Sequence, residues 1–214
     1  MTQIMIPAWV EGTLQPVEKL AAHERGLKHK AVSVFVVSGE HILIQQRAMC
    51  KYHTPGLWAN TCCTHPEWDE ASEVCANRRV NEELGITGLN YQYRGKVEYR
   101  ADVGGGLIEH EVVDLFITHV DAPPPMAANP DEVMDLRWVE YHDLLAEVQR
   151  WPSRFTPWLR IYLDQHSDRI FSPDMVRAMA YGKIAPMYHR PAWPDRPTPS
   201  NDPVNPEEAL LLRR

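Results

Sequence analysis

The sequence predicts an α/β domain of the layered α+β kind, a mixed sheet sandwiched by helices. Strand-sized apolar runs come first, then one helix, then more strands, then helices, and that order builds a layered domain. The chain has 214 residues, 44% of them hydrophobic, which suffices for one domain with a sizeable core and hardly for two. Its longest apolar run, AVSVFVV at 31–37, is strand-sized.

The elements follow in chain order. AVSVFVV (31–37) and HILIQ (41–45) are parted by Ser-Gly-Glu, a hairpin signal. DEASEVCANRRVNEEL (69–84) predicts a helix with apolar groups at Val74, Val80 and Leu84, a cap at Asp69 or Ser72, and a stop at Gly85. LNYQYRGKVEY (89–99) and LIEHEVVDLFITH (107–119) alternate as strands around the flexible glycines 104–106. APPPM then breaks the chain, LRWVEY (136–141) reads as a strand, and 142–150 and 155–166 read as helices, the second with Pro157 in its first turn. Past about residue 170 the texture changes, and seven of the 21 residues 186–206 are proline. We therefore expect a packed domain over 1–170 and a Pro-rich extension over 171–214, partly extended or disordered.

Composition removes several function classes. The N-terminus has no basic region followed by a long apolar run, so no signal peptide is expected. No apolar stretch approaches the ~18 residues that span a bilayer, so the expectation is a soluble, cytoplasmic protein without a membrane partner. Cys50, Cys62, Cys63 and Cys75 form no C-x-x-C pair, which argues against a disulfide framework or a thiolate zinc knuckle. A net charge of -7 without a dense Lys/Arg run makes nucleic acid a poor partner. An acidic chain that binds a phosphorylated ligand needs a local Lys/Arg cluster or a divalent metal.

The chemistry concentrates in a few places. TPGLWANTCCTHP (54–66) sets two cysteines beside a histidine. Glu109 and Glu111 are two apart on a strand, so both carboxylates share a face while His110 points away. With His23, His29 and His65 they can make an octahedral or near-octahedral site for Mg2+, Mn2+ or Zn2+, whose charge would relieve the carboxylate repulsion. The segment from Glu70, with Arg78, Glu82, Glu83, Gly85 and Ile86, resembles the Nudix signature, a loop–helix–loop that presents glutamates to a metal–diphosphate. It departs from that pattern at Thr64, where the signature has glycine, and at Arg79, where it has glutamate. Losing a carboxylate to a cation weakens hydrolysis as the function and leaves metal–diphosphate binding intact.

A longer resemblance covers about two-thirds of the chain. KLAAH (19–23), QQRAMCKYHTPGLWANTCCTHP (45–66), RRVNEELG (78–85), YRAD (99–102), IEHEV (108–112), DEVMDLRWV (131–139) and FTPWL (155–159) are similar to the type I isopentenyl-diphosphate isomerases, a Nudix-fold family. The resemblance implies Cys63 and Glu111 as the catalytic pair, Tyr99 hydrogen-bonded in the site and Trp158 covering the reacting carbon. It implies His23, His29, His65, Glu109 and Glu111 as metal ligands and Glu83 on the Mg2+ that accompanies the diphosphate. Lys19, Arg47, Lys51 and Arg79 would then surround that diphosphate.

The implied reaction protonates an alkene to a tertiary cation and removes a proton elsewhere, which needs an acid and a base on opposite sides of a flat skeleton. Trp58 and Trp158 are candidates to shield that cation. The expected partner is isopentenyl or dimethylallyl diphosphate, and the expected state a monomer or weak homodimer. Two other readings stay open at this level: a Nudix hydrolase of a diphosphate, and a metal-stabilised binding module.

Overall fold

The computed structural model describes residues 4–177, and the proline-rich stretch at 186–206 lies outside them. Strand β1 (Met5–Val10) turns into β2 (Thr13–Glu18) through Glu11 and Gly12, whose φ values of 51° and 81° suit a two-residue hairpin turn. Pro7 faces Pro16 across this pair, and neither can donate to the ladder, so the hairpin sits at the sheet edge. Glu18 then caps helix α1 (Lys19–Glu24), accepting from the amides of Leu20 at 3.1 Å and Ala21 at 2.8 Å.

Strand β3 (His29–Ser38) is the axis of the molecule. It pairs antiparallel with β4 (His41–Arg47) around Gly39–Glu40, as the hairpin signal predicted. Two short strands follow, β5 (Trp58–Asn60) against β4 and β6 (Cys62–Thr64) against β3. After helix α2 (Ser72–Leu84) come β7 (Gln92–Gly104) and β8 (Leu107–His119), the latter parallel to β3. Strand β9 (Val133–Glu140) joins β4, and helices α3 (Tyr141–Arg150), α4 (Pro157–Gln165), α5 (Ser167–Ile170) and α6 (Pro173–Arg177) close the described chain. The sheet is mixed, as expected, because the β3–β8 pair is parallel and its other pairs are antiparallel.

Alternation along β3 divides the core in two. Ala31, Phe35 and Val37 pack with Val113, Leu115 and Ile117 of β8 and with Leu144, Trp158, Leu159 and Tyr162 of α3 and α4. Val32, Val34 and Val36 face the other way, onto Cys75, Ala76, Val80 and Leu84 of α2. Helices thus cover both faces. Past residue 170, Phe171 and Met175 join the first of these clusters. No helix among the described residues is long and apolar enough to cross a membrane.

Four local expectations change. Helix α2 starts at Ser72 with Ala71 at its N-cap and no side-chain capping bond. Asp69 instead takes a positive φ of 66°, and the Ser72 hydroxyl donates to Asp114 at 2.6 Å. Val74, counted among the apolar groups of the helix, is 57% exposed, because the buried face of α2 runs through Cys75, Ala76, Val80 and Leu84. Strand β7 begins at Gln92 rather than 89, and α4 begins at Pro157 with the Thr156 hydroxyl as its cap.

Gly85 ends α2 with φ +67°, and the loop at 127–129 closes on that end through Ala127 N–Leu84 O (2.8 Å) and Asn129 N–Glu83 O (2.9 Å). A Cβ on Gly85 would lie 2.9 Å from the Ala127 Cβ and carbonyl oxygen. We predict that Gly85→Ala costs roughly 2–3 kcal/mol, read as a Tm drop of several degrees in thermal unfolding.

Asp114 ties three elements together, accepting from Ser72 of α2 and from Tyr93 (3.0 Å) and Lys96 (2.6 Å) of β7. Burial pushes its pKa up, but the bonds from Lys96, Ser72 and Tyr93 outweigh that and hold it below the usual range. A depressed folded-state pKa stabilises above the unfolded value near 3.9 and loses that contribution as pH falls through the folded value. Asp114→Asn is therefore expected to cost about 1–3 kcal/mol at pH 7 in urea unfolding, with the gap to wild type closing under acid.

Candidate active site

The sheet register places the predicted chemistry on one face. Ser33 is paired with Cys63 across β3–β6, and His29 with Glu111 across β3–β8. Tyr99 is paired with Glu111 and Ala101 with Glu109 across β7–β8. Paired residues and residues two apart on a strand share a face, so Cys63, Glu109, Glu111, Tyr99, His29 and Ser33 all project to one side. His110 points away, as expected, and meets Glu98 at 3.2 Å.

Local structure aims the imidazoles. His23 ends α1 and its Nδ1 lies 2.6 Å from the Lys19 carbonyl; His29 opens β3 with Nδ1 2.7 Å from the Leu27 carbonyl. A carbonyl only accepts, so each Nδ1 carries a proton and Nε2 is the atom each ring turns toward the site. Those Nε2 atoms face Glu109 Oε2, at 3.2 Å from His23 and 3.5 Å from His29. His65 Nε2 lies 2.9 Å from Glu111 Oε1 and 3.9 Å from Glu109 Oε2. His53, which sequence reasoning did not single out, reaches Glu109 Oε1 at 3.1 Å. Its only signal was its place within KYHTPG, inside a stretch already quoted for the resemblance.

This donor set fits a divalent cation. His23, His29, His65 and Glu109 bring ligand atoms within 4.8 Å of one another, all buried. His29 Nε2, His65 Nδ1 and Glu109 Oε2 are buried without a hydrogen-bond partner, and such atoms are costly unless something positive meets them. Glu83, also predicted as a metal residue, lies apart from these four, bonded to Arg79 (2.7 Å) and Gln45 (3.0 Å).

Electrostatics splits the two carboxylates. Burial raises both, but the His23, His29 and His53 imidazoles around it hold Glu109 well below the ordinary range. Burial and the neighbouring Glu109 charge push Glu111 up to about 8. Burial disfavours the His29 imidazolium, yet Glu109 and Glu111 more than offset it and raise His29 to about 10. The Tyr99 hydroxyl donates to Glu111 Oε2 at 2.5 Å. Burial, then the Glu111 charge, pushes the Cys63 thiol well up, while Ser33 Oγ donates to its sulfur at 3.1 Å and opposes the rise. Tyr162 completes this pocket, its hydroxyl 2.9 Å from Ser33 Oγ. Neither Ser33 nor Tyr162 stood out in the sequence.

All these groups except His23, His29, Ser33, Tyr99 and Tyr162 line one cleft of about 460 Å³, open solvent at its mouth included. Lys19, Arg47, Lys51 and Arg79 line it together. Burial, then Lys51 and Arg79, pushes the Lys19 ammonium down. The ladder register shifts between Gln46 and Arg47, a bulge at the point where Arg47 meets the His53 carbonyl at 3.1 Å. Glu132, unanticipated, pairs with both Lys51 and Arg79. Trp158 also lines the cleft, with the Arg47 guanidinium 5.3 Å from its ring. Trp58 does not; its ring packs under Arg137 at 4.6 Å.

Comparison with known proteins agrees with this layout. The NUDIX domain family matches residues 27–159. A protein of Ruegeria pomeroyi named isopentenyl-diphosphate Delta-isomerase is 66% identical over 173 residues, 81% of this chain and 96% of that one. One of the same name from Rhodobacter capsulatus is 57% identical over 173 residues, covering 81% and 98%. Among solved structures, a Deinococcus radiodurans protein superposes with TM-score 0.60 at 15% identity over 74% of this chain and 96% of its own, a likeness of fold. Relatives this similar along nearly their whole length leave one assignment: the chain belongs to the isopentenyl-diphosphate Delta-isomerase family of NUDIX-domain proteins.

Proposed function

We propose that the protein interconverts isopentenyl and dimethylallyl diphosphate by adding a proton to one carbon and removing one from another. One observation carries this reading: Cys63 and Glu111, on the two strands that flank β3, project from the same face into a single cleft. Each can hold or release a proton, and they approach the substrate from different strands.

In the forward direction Glu111, steadied by the Tyr99 hydroxyl, donates a proton to the terminal alkene carbon. A tertiary cation forms, and Cys63, as a thiolate steadied by the Ser33 hydroxyl, takes the proton from the methylene next to the cation and becomes the neutral thiol. The reverse reaction uses the same pair with roles exchanged, as microscopic reversibility requires. Trp158 covers the cleft and excludes water that would convert the cation to an alcohol. An indole face contributes ~2 kcal/mol to a desolvated cation, about thirtyfold in rate, so positioning and dry enclosure supply the rest. Lys19, Arg47, Lys51 and Arg79 receive the diphosphate, and Glu83 holds the Mg2+ that travels with it. His23, His29, His65 and Glu109, with Glu111 alongside, would hold a cation, whose positive charge would tune the acidity of Glu111; nitrogen and oxygen donors suit Mn2+, Mg2+ or Zn2+. Arg79 supports isomerisation over hydrolysis, since a guanidinium takes the place of a metal-binding carboxylate. The same reading carries a cytoplasmic enzyme that acts as a monomer or weak homodimer on a small molecule.

Incubation with isopentenyl diphosphate and Mg2+, followed by product analysis, is expected to show dimethylallyl diphosphate and no phosphate release; phosphate release instead would establish hydrolysis. Cys63→Ala and Glu111→Gln are each expected to lower kcat by at least 10²–10⁴-fold, the range of a lost general acid or base. Tyr99→Phe removes one hydrogen bond to a charged partner and is expected to lower kcat roughly 10- to 100-fold with KM little changed.

A further inference from the structure

Four imidazoles surround Glu109, but they are not held alike. His23 and His29 are fastened through Nδ1–H to backbone carbonyls, which leaves Nε2 as the atom with which each can meet a cation. His53 is fastened differently, its Nδ1 lying 3.1 Å from the Thr54 hydroxyl. A hydroxyl can donate, so His53 is free to carry its proton on Nε2, where it meets Glu109 Oε1 at 3.1 Å. The two oxygens of Glu109 are thereby divided. Oε2 faces His23, His29 and His65, and Oε1 faces His53. The four-residue ligand set leaves His53 out.

The backbone supports the same distinction. Thr54 has φ 46°, in the left-handed region that a β-branched residue rarely occupies. Such strain persists only where the surroundings impose it, and here it sets the hydroxyl against His53. Tyr52 packs edge-on at 4.4 Å and Trp158 at 5.8 Å, while the His53 carbonyl accepts from Arg47 at 3.1 Å. The residue is 5% exposed and has contacts on several sides.

We propose that His53 is a positioning residue rather than a ligand: its Nε2–H fixes the Glu109 carboxylate so that Oε2 points into the His23–His29–His65 cation site. Outer hydrogen bonds of this kind orient ligating groups, and their loss costs about 10–100-fold in metal affinity. The inference rests on the cation reading of those four residues.

Mn2+ titrated into the full-length chain, followed by loss of the free-ion EPR signal, tests both. Wild type is expected to bind, His29→Ala to lose that binding, and His53→Ala to bind with unchanged stoichiometry and about tenfold weaker affinity. Thr54→Gly, which relieves the strain and removes the hydroxyl, is expected to weaken binding several-fold without lowering Tm. It decides the matter if His53→Ala fails to fold. Unchanged affinity in His53→Ala, or in Thr54→Gly where that variant decides, overturns the proposal; so does complete loss in His53→Ala matching His29→Ala, which would make His53 a ligand. A wild-type chain that binds no Mn2+ overturns the cation reading itself.

Discussion

A carboxylate that is 2% exposed, ringed by imidazoles, sets the terms for the rest of this protein. Taking the Glu109 charge out of water costs far more than any single hydrogen bond returns, so the partners must all be present at once. They arrive from four places: the end of α1, the first residue of β3, the loop after β4 and the exit of β6. The N-terminal hairpin and its Glu18-capped helix deliver His23 to this centre. A change that shifted any of these elements would strand a buried charge.

Register then converts that centre into a reaction site. Because β3 pairs with β6 on one side and β8 on the other, a thiol and a carboxyl on different strands face the same cleft. Burial acts on both groups but with unequal company. Glu111 stands beside another carboxylate and is pushed up, whereas Cys63 has the Ser33 hydroxyl to receive the charge of a thiolate. On the cation side, Glu132 pairs with both Lys51 and Arg79 and Glu83 pairs with Arg79, beside the half-buried ammonium of Lys19.

Much of this was legible in the chain. The β3–β4 hairpin follows from two apolar runs around Ser-Gly-Glu, β8 from its alternation over 107–119, and the end of α2 from Gly85. Elements before residue 29 were not read, because Pro7 and Pro16 lower strand propensity and are tolerated only at an edge that sequence does not reveal. Val74 is apolar yet lies off the buried face for a related reason. Helical periodicity names a stripe but not its rotation, and α2 buries Cys75 and Ala76 instead. His23, His29, His65, Glu109 and Glu111 converge while Glu83 lies apart, yet His53, Ser33, Tyr162 and Glu132 escaped notice, since each acts through a neighbour distant in sequence.

The sequence by itself determined which side chains were available and, through period-two alternation, that Glu109 and Glu111 would face together. It also determined the layered class, since strand-length and helix-length apolar patterns are local properties. Tertiary structure alone decided which oxygen of Glu109 meets which imidazole, which tryptophan lines the cleft, and which imidazole nitrogen is tied to a backbone carbonyl. Those outcomes depend on distances between strands, loops and helices far apart in the chain, and a hydrogen bond is sensitive to tenths of an ångström that no local pattern encodes.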